Sequence, residues 1–130
     1  MFLWLIFLKF ITASFLKLRL SLSKAEWEKL GVDYMRISIK DYVGVASTEQ
    51  IQTAVSFINS HKEKNNCVYV HCKAGRYRSA LIVACYLVNC NPKMSTNEVI
   101  DHLTKLRSHV ILKRERQINA INSFRNTLLE

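Results

Sequence analysis

Acid, glycine and proline are scarce in this chain. Its 130 residues hold ten Asp and Glu against nineteen Lys and Arg, with three glycines and one proline, and no acid precedes Glu26. No internal repeat, low-complexity tract or long linker is present, so the chain reads as one small domain, and its 49% apolar content is enough for a core. The four cysteines lack the spacing of a disulfide framework, which argues against a secreted, cross-linked fold. Apart from His71 beside Cys72, no histidine is closely spaced with a cysteine, so no metal site is expected.

The acid-free N-terminal stretch stands apart. Phe2–Leu8 is wholly apolar, but Lys9 interrupts it too early for a spanning helix, and Lys17 and Arg19 follow. Residues 1–22 therefore form an apolar and basic segment with several open readings: a signal peptide, a basic leader, a short anchor, or an edge strand around Leu8–Thr12. Residues 23–130 are expected to form the folded domain.

Within that domain the pattern is α/β. Residues 34–39 alternate like a strand, and Cys67–Val70 reads as a buried central strand. Gln50–Ser60 has helical spacing through Ile51, Ala54, Val55 and Ile58. A second helix is predicted over Arg78–Cys90, with Ala80, Val83, Ala84 and Leu87 inward, and Asn89-Cys90-Asn91-Pro92 breaks it. Ser95 and Glu98 make a capping box for a helix ending near Ser108, and Ile118, Ile121 and Phe124 mark a last one. Cys85 and Cys90 read as packing residues. His61, His102 and His109 read as surface or helix-face positions, and Asp33, Glu26 and Glu28 as solvated surface.

The chemistry concentrates in His71-Cys72-Lys73-Ala74-Gly75-Arg76-Tyr77-Arg78-Ser79. Five residues between Cys72 and Arg78 are enough to wrap a backbone once around a phosphoryl group and bring the arginine back to face it. Loop N–H groups and the start of the next helix then cradle the anion. The same field lowers the Cys72 thiol pKa into the range of about 3.5–7.5, making it a nucleophile at neutral pH. Arg78 is placed to grip two phosphoryl oxygens bidentately. Gly75 supplies the tight curvature. Ser79 stands where its hydroxyl bonds the thiolate, and His71 is expected beneath the loop, orienting it. Lys73, Ala74, Gly75, Arg76, Tyr77 and Ser79 complete the substrate-binding set. A leaving alcohol needs a proton donor, and Asp41, 31 residues before Cys72 in the glycine-containing segment Lys40–Val45, is the candidate acid and, in the return step, base. The alternative for Asp41 is a turn or helix cap.

This loop resembles the His-Cys-x-x-Gly-x-x-Arg-Ser/Thr signature of the cysteine-dependent dual-specificity phosphatases. A wider resemblance runs through Glu26–Val32, Asp41–Gly44, Val68–Ala80 and Leu106–His109, and points to the mitochondrial branch acting on phosphatidylglycerophosphate. It covers about 105 residues, from near Lys24 to the end. The resemblance implies a small α/β domain with a central sheet flanked by helices and a cysteinyl-phosphate mechanism needing no cofactor. It also implies a mitochondrial, inner-membrane setting; another membrane or the cytoplasm stays open. Two departures stand out. Tyr77 occupies a position where most members have serine and others glycine. Before Trp27, members carry an acidic segment and further strands where this chain has Ser14–Leu18, so upstream strands of the sheet are expected to be missing.

The net charge of +9 is compatible with nucleic acid or with anionic substrates and membranes. Lys73 and Arg76 inside the loop favour the second, either an anionic phospholipid or a phosphoprotein; Lys105, Arg107, Lys113, Arg114 and Arg116 extend that surface or are solvated helix faces. No aromatic stacking platform on a basic face is identifiable, so nucleic acid is not expected, nor is an obligate protein partner. Two alternatives to an enzyme of this kind remain: an inactive phosphate- or phosphoinositide-binding pseudophosphatase, and an RNA 5′-phosphatase.

Overall fold

The computed structural model describes residues 23–39, 44–72 and 74–130. Five helices lie among them: α1 (Lys24–Lys29), α2 (Thr48–Glu63), α3 (Arg78–Cys90), α4 (Thr96–Leu106) and α5 (Glu115–Asn126). The expectations on residues 1–22, Asp41 and Lys73 lie outside the described residues.

The starts of three helices are written in local sequence. Ser23, Ser47 and Ser95 each accept from the N3 backbone N–H, while Glu26, Gln50 and Glu98 reach back to the cap, closing reciprocal capping boxes. These bonds also hold the Glu26 and Glu98 carboxyls below the usual carboxylate range, chiefly through the serine hydroxyls.

The middle of the fold is α3. Every residue from Ser79 to Tyr86 is buried, and so is Val88. Such an all-round apolar helix must be wrapped by others, and α2, α4 and α5 all pack on it. Their apolar stripes complete the core through Ile51, Ile58, Val99, Leu103, Ile121 and Phe124. Between α4 and α5, residues 107–114 cross the N-terminal end of α3, fastened by buried Val110 and Leu112. No helix among the described residues is long and apolar enough to cross a membrane.

No strand is assigned among the described residues, so they do not by themselves confirm the expected central sheet with residues 34–39 and 67–70 in it. Other expectations need correction. Val68 and Val70 pack against the core, whereas Cys67 and Tyr69 are exposed rather than buried, because no described element covers their face. His61 is buried rather than superficial: its ring lies 4.5 Å from that of Phe57, and its Nε2 is 3.4 Å from Asp33 Oδ2. Cys85 is a core residue as expected, but Cys90 is exposed, since it falls where α3 leaves the core.

Candidate active site

The loop from Cys72 to Tyr77 closes directly onto the first turn of α3. That turn carries no acidic side chain, which leaves the positive dipole end of the helix uncompensated from within its own first turn and suits it to an anion. Gly75 adopts φ +63°, the left-handed geometry the loop needs to reverse and one a side chain would strain.

Around the half-buried Cys72 sulfur the polar groups converge. Gly75 N–H donates to Sγ at 3.2 Å, and the Ser79 hydroxyl lies 3.2 Å from it. Burial alone would push the thiol up. The Ser79 hydroxyl and the backbone N–H groups of Ser79, Gly75 and Ala74 outweigh it, and the thiol falls from its ordinary 9.0 to about 7. This lowering favours the thiolate near neutral pH. Buried Cys85 has no such donors and is pushed up to about 12. Alkylation by iodoacetamide should therefore rise through about pH 7 at Cys72, and Ser79→Ala should move that midpoint upward while leaving Cys85 inert; a midpoint that stays put would show that the hydroxyl does not stabilise the thiolate.

Arg78 is half-buried at the first position of α3 and lines a small cleft with Ile39, Gly44, Val45, Ala46, Tyr77, Leu81 and Gln117. Ile39 and Gly44 are the described residues that flank positions 40–43. Arg76 and Ala74 are exposed on the loop's outer side. Tyr77 is half-buried, with the Arg114 guanidinium 5.2 Å over the centre of its ring, a cation–π contact. His71 does not lie beneath the loop: it is exposed, its ring stacked on Tyr69 at 5.2 Å.

The crossing segment 107–114 supplies what the sequence reading missed. Ile111 N–H donates to the Arg76 carbonyl at 3.0 Å, tying the segment to the loop. Arg107, counted with the basic surface on sequence, is half-buried with its guanidinium against Gly75. Its lone signal in sequence was membership in the Leu106–His109 stretch of the resemblance.

A cysteine whose sulfur accepts from a loop N–H, joined by that loop to an arginine at a helix start, has the make-up of a phosphate-handling site of the cysteine type. The chain belongs to the dual specificity phosphatase family: the model of its catalytic domain matches residues 9–127. It is 38% identical over 102 residues to phosphatidylglycerophosphatase and protein-tyrosine phosphatase 1 of Homo sapiens, covering 78% of this chain and 50% of that one. It is also 38% identical over 81 residues to the Arabidopsis thaliana phosphatidylglycerophosphate phosphatase PTPMT1, covering 62% and 24%. The chain thus spans half or less of the length of these curated relatives. Among solved structures, PTPMT1 in complex with PI(5)P superposes with a TM-score of 0.80 at 34% identity, covering 88% of this chain and 72% of that one. Tk-PTP in its active form, 23% identical with a TM-score of 0.73 over 83% and 71%, shares the fold.

Proposed function

We propose that the chain is a phosphomonoester hydrolase working through a cysteinyl-phosphate intermediate, with phosphatidylglycerophosphate as the leading substrate and phosphorylated Tyr, Ser or Thr in proteins as lesser ones. The observation that carries this reading is the convergence of the Gly75 N–H and the Ser79 hydroxyl on the Cys72 sulfur, each at 3.2 Å, at the start of α3.

In this reading the Cys72 thiolate attacks phosphorus in line. Arg78 and the loop N–H groups, including those of Ala74, Gly75, Arg76 and Tyr77, hold the equatorial oxygens as charge shifts onto them. Asp41 protonates the departing oxygen; its described flanking residues Ile39 and Gly44 line a cleft with Arg78, which supports this role. Water then attacks the phosphocysteine with Asp41 as base, and Ser79 stabilises the thiolate that leaves. Lys73 and the exposed Arg76 add positive charge that suits an anionic headgroup. His71 keeps at most a supporting role from outside the loop, against Tyr69.

The lipid preference rests on the relatives, whose names carry phosphatidylglycerophosphate, and on a neighbour solved with PI(5)P. A membrane surface, and by the same resemblance the mitochondrial inner membrane, is the setting this substrate implies. The reading includes a central sheet carrying residues 34–39 and 67–70 within a domain running from about residue 23 to 130. Purified chain offered phosphatidylglycerophosphate in mixed micelles and a small aryl phosphate should release phosphate from both, faster at low concentration from the lipid. Lipid or phosphate binding without release by folded protein would favour the pseudophosphatase, and release from RNA 5′-phosphates alone the third reading.

A further inference from the structure

Gly75 leaves a gap that another part of the chain fills. A Cβ placed on Gly75 would lie 2.8 Å from Arg107 Nη2, 3.4 Å from its Cζ and 3.9 Å from its Nε, so the guanidinium group rests against the bare face of the glycine. The same glycine gives its N–H to the Cys72 sulfur at 3.2 Å. Arg107 is itself held from two sides. Its N–H donates to Leu103 O at the end of α4, and its carbonyl accepts from Val110 N–H, closing a turn anchored by buried Val110 and Leu112. Ile111 N–H then grips the carbonyl of Arg76, the residue after Gly75.

From this juxtaposition we infer that Arg107 is a positioning residue for the phosphatase reaction, a brace whose planar guanidinium occupies the side-chain space of Gly75 and keeps the Gly75 N–H aimed at the Cys72 sulfur. The inference rests on the hydrolase reading above and deepens it. The contribution is one of shape: a flat group fits where a Cβ would clash, and seated there it holds the Gly75 N–H that favours the Cys72 thiolate. The left-handed glycine is required twice over, by its φ and by the arginine seated where its side chain would be. The effect of Arg107 passes through Gly75.

The test pairs thiol reactivity with turnover in Arg107→Met and Arg107→Lys, each checked for fold by circular dichroism. The other charged groups of the loop and crossing segment, His71, Lys73, Arg76, Arg78, His109, Lys113 and Arg114, stay in place, so a shift in the Cys72 alkylation profile reports Arg107. Arg107→Met should raise the midpoint of that profile, because a Gly75 N–H that is no longer braced favours the thiolate less. It should lower kcat on an aryl phosphate roughly tenfold to a hundredfold with a much smaller change in KM, as expected for a misplaced amide. Arg107→Lys should move both in the same direction, because an ammonium lacks the plane that seats against Gly75. An unchanged profile and kcat in Arg107→Met would overturn the inference. Should that variant fail to fold, Arg107→Lys decides alone: a wild-type profile and kcat there overturn it, and a raised midpoint with a reduced kcat supports it. Alkylation needs no substrate. A wild type that alkylates at neutral pH but releases no phosphate would therefore sink the hydrolase reading separately, while the shift in Arg107→Met still tests the brace.

Discussion

Cys72→Ser should abolish phosphate release, lowering kcat by at least about 10⁴-fold, the scale seen when a covalent nucleophile is removed. A serine hydroxyl at this position keeps the shape of the loop but stays protonated at neutral pH, since a few amide hydrogen bonds cannot bring an alcohol into that range. The variant should still bind substrate, because the loop N–H groups and Arg78 do not depend on the sulfur. Isothermal titration with inorganic phosphate and a stopped assay on the same sample separate the two properties. Residual turnover within about a hundredfold of wild type would mean that Cys72 is not the nucleophile, for the oxygen is a far weaker one here.

Arg78→Met should lower kcat on an aryl phosphate by about 10³-fold and weaken phosphate binding as well. Removing one neutral donor to a developing oxyanion costs roughly 10²–10³ in rate, and a bidentate, charged donor lies at or above the upper end. Arg78→Lys should recover little of this, because an ammonium cannot present two parallel N–H groups to two oxygens. Arg78 stands at the first position of α3, half-buried at the helix end, so neither change should unfold the core built from Ser79 onward. A lysine variant that matched wild type would show that Arg78 supplies only charge.

Local signals carried much of this account. The predicted limits of the Arg78–Cys90 helix match α3, because a run of apolar residues bounded by a glycine-containing loop and by Asn91-Pro92 leaves little freedom in where it starts and stops. Ser95 and Glu98 start α4 as expected, since a capping box is complete within four residues. The Cys72–Ser79 contact was legible because both ends belong to one short loop. Contacts between distant segments were not. His61 is a solvated residue by local pattern and becomes buried only because Asp33, Phe57 and Asn66 gather around it. His71 was expected under the loop on strand geometry, but with no strand assigned it stacks outward on Tyr69. The basic residues after Leu106 looked alike in sequence. The fold separates them, setting Arg107 against Gly75 and Arg114 over Tyr77, while Lys105, Lys113 and Arg116 remain exposed. The Arg114 contact to Tyr77 is likewise visible in three dimensions alone.

Phosphate that passes through the Cys72 sulfur can be trapped there. An aryl phosphate has a leaving group good enough to depart without an acid, so Asp41→Asn should still be phosphorylated by it but hydrolyse slowly, having lost the base of the second step. Rapid acid quench of that variant, followed by digestion and mass spectrometry, should find a phosphoryl group on the peptide containing Cys72 and on no other, and none in Cys72→Ser. Steady release of phosphate with no phosphorylated Cys72 at any quench time, or with the label on another residue, would contradict the account.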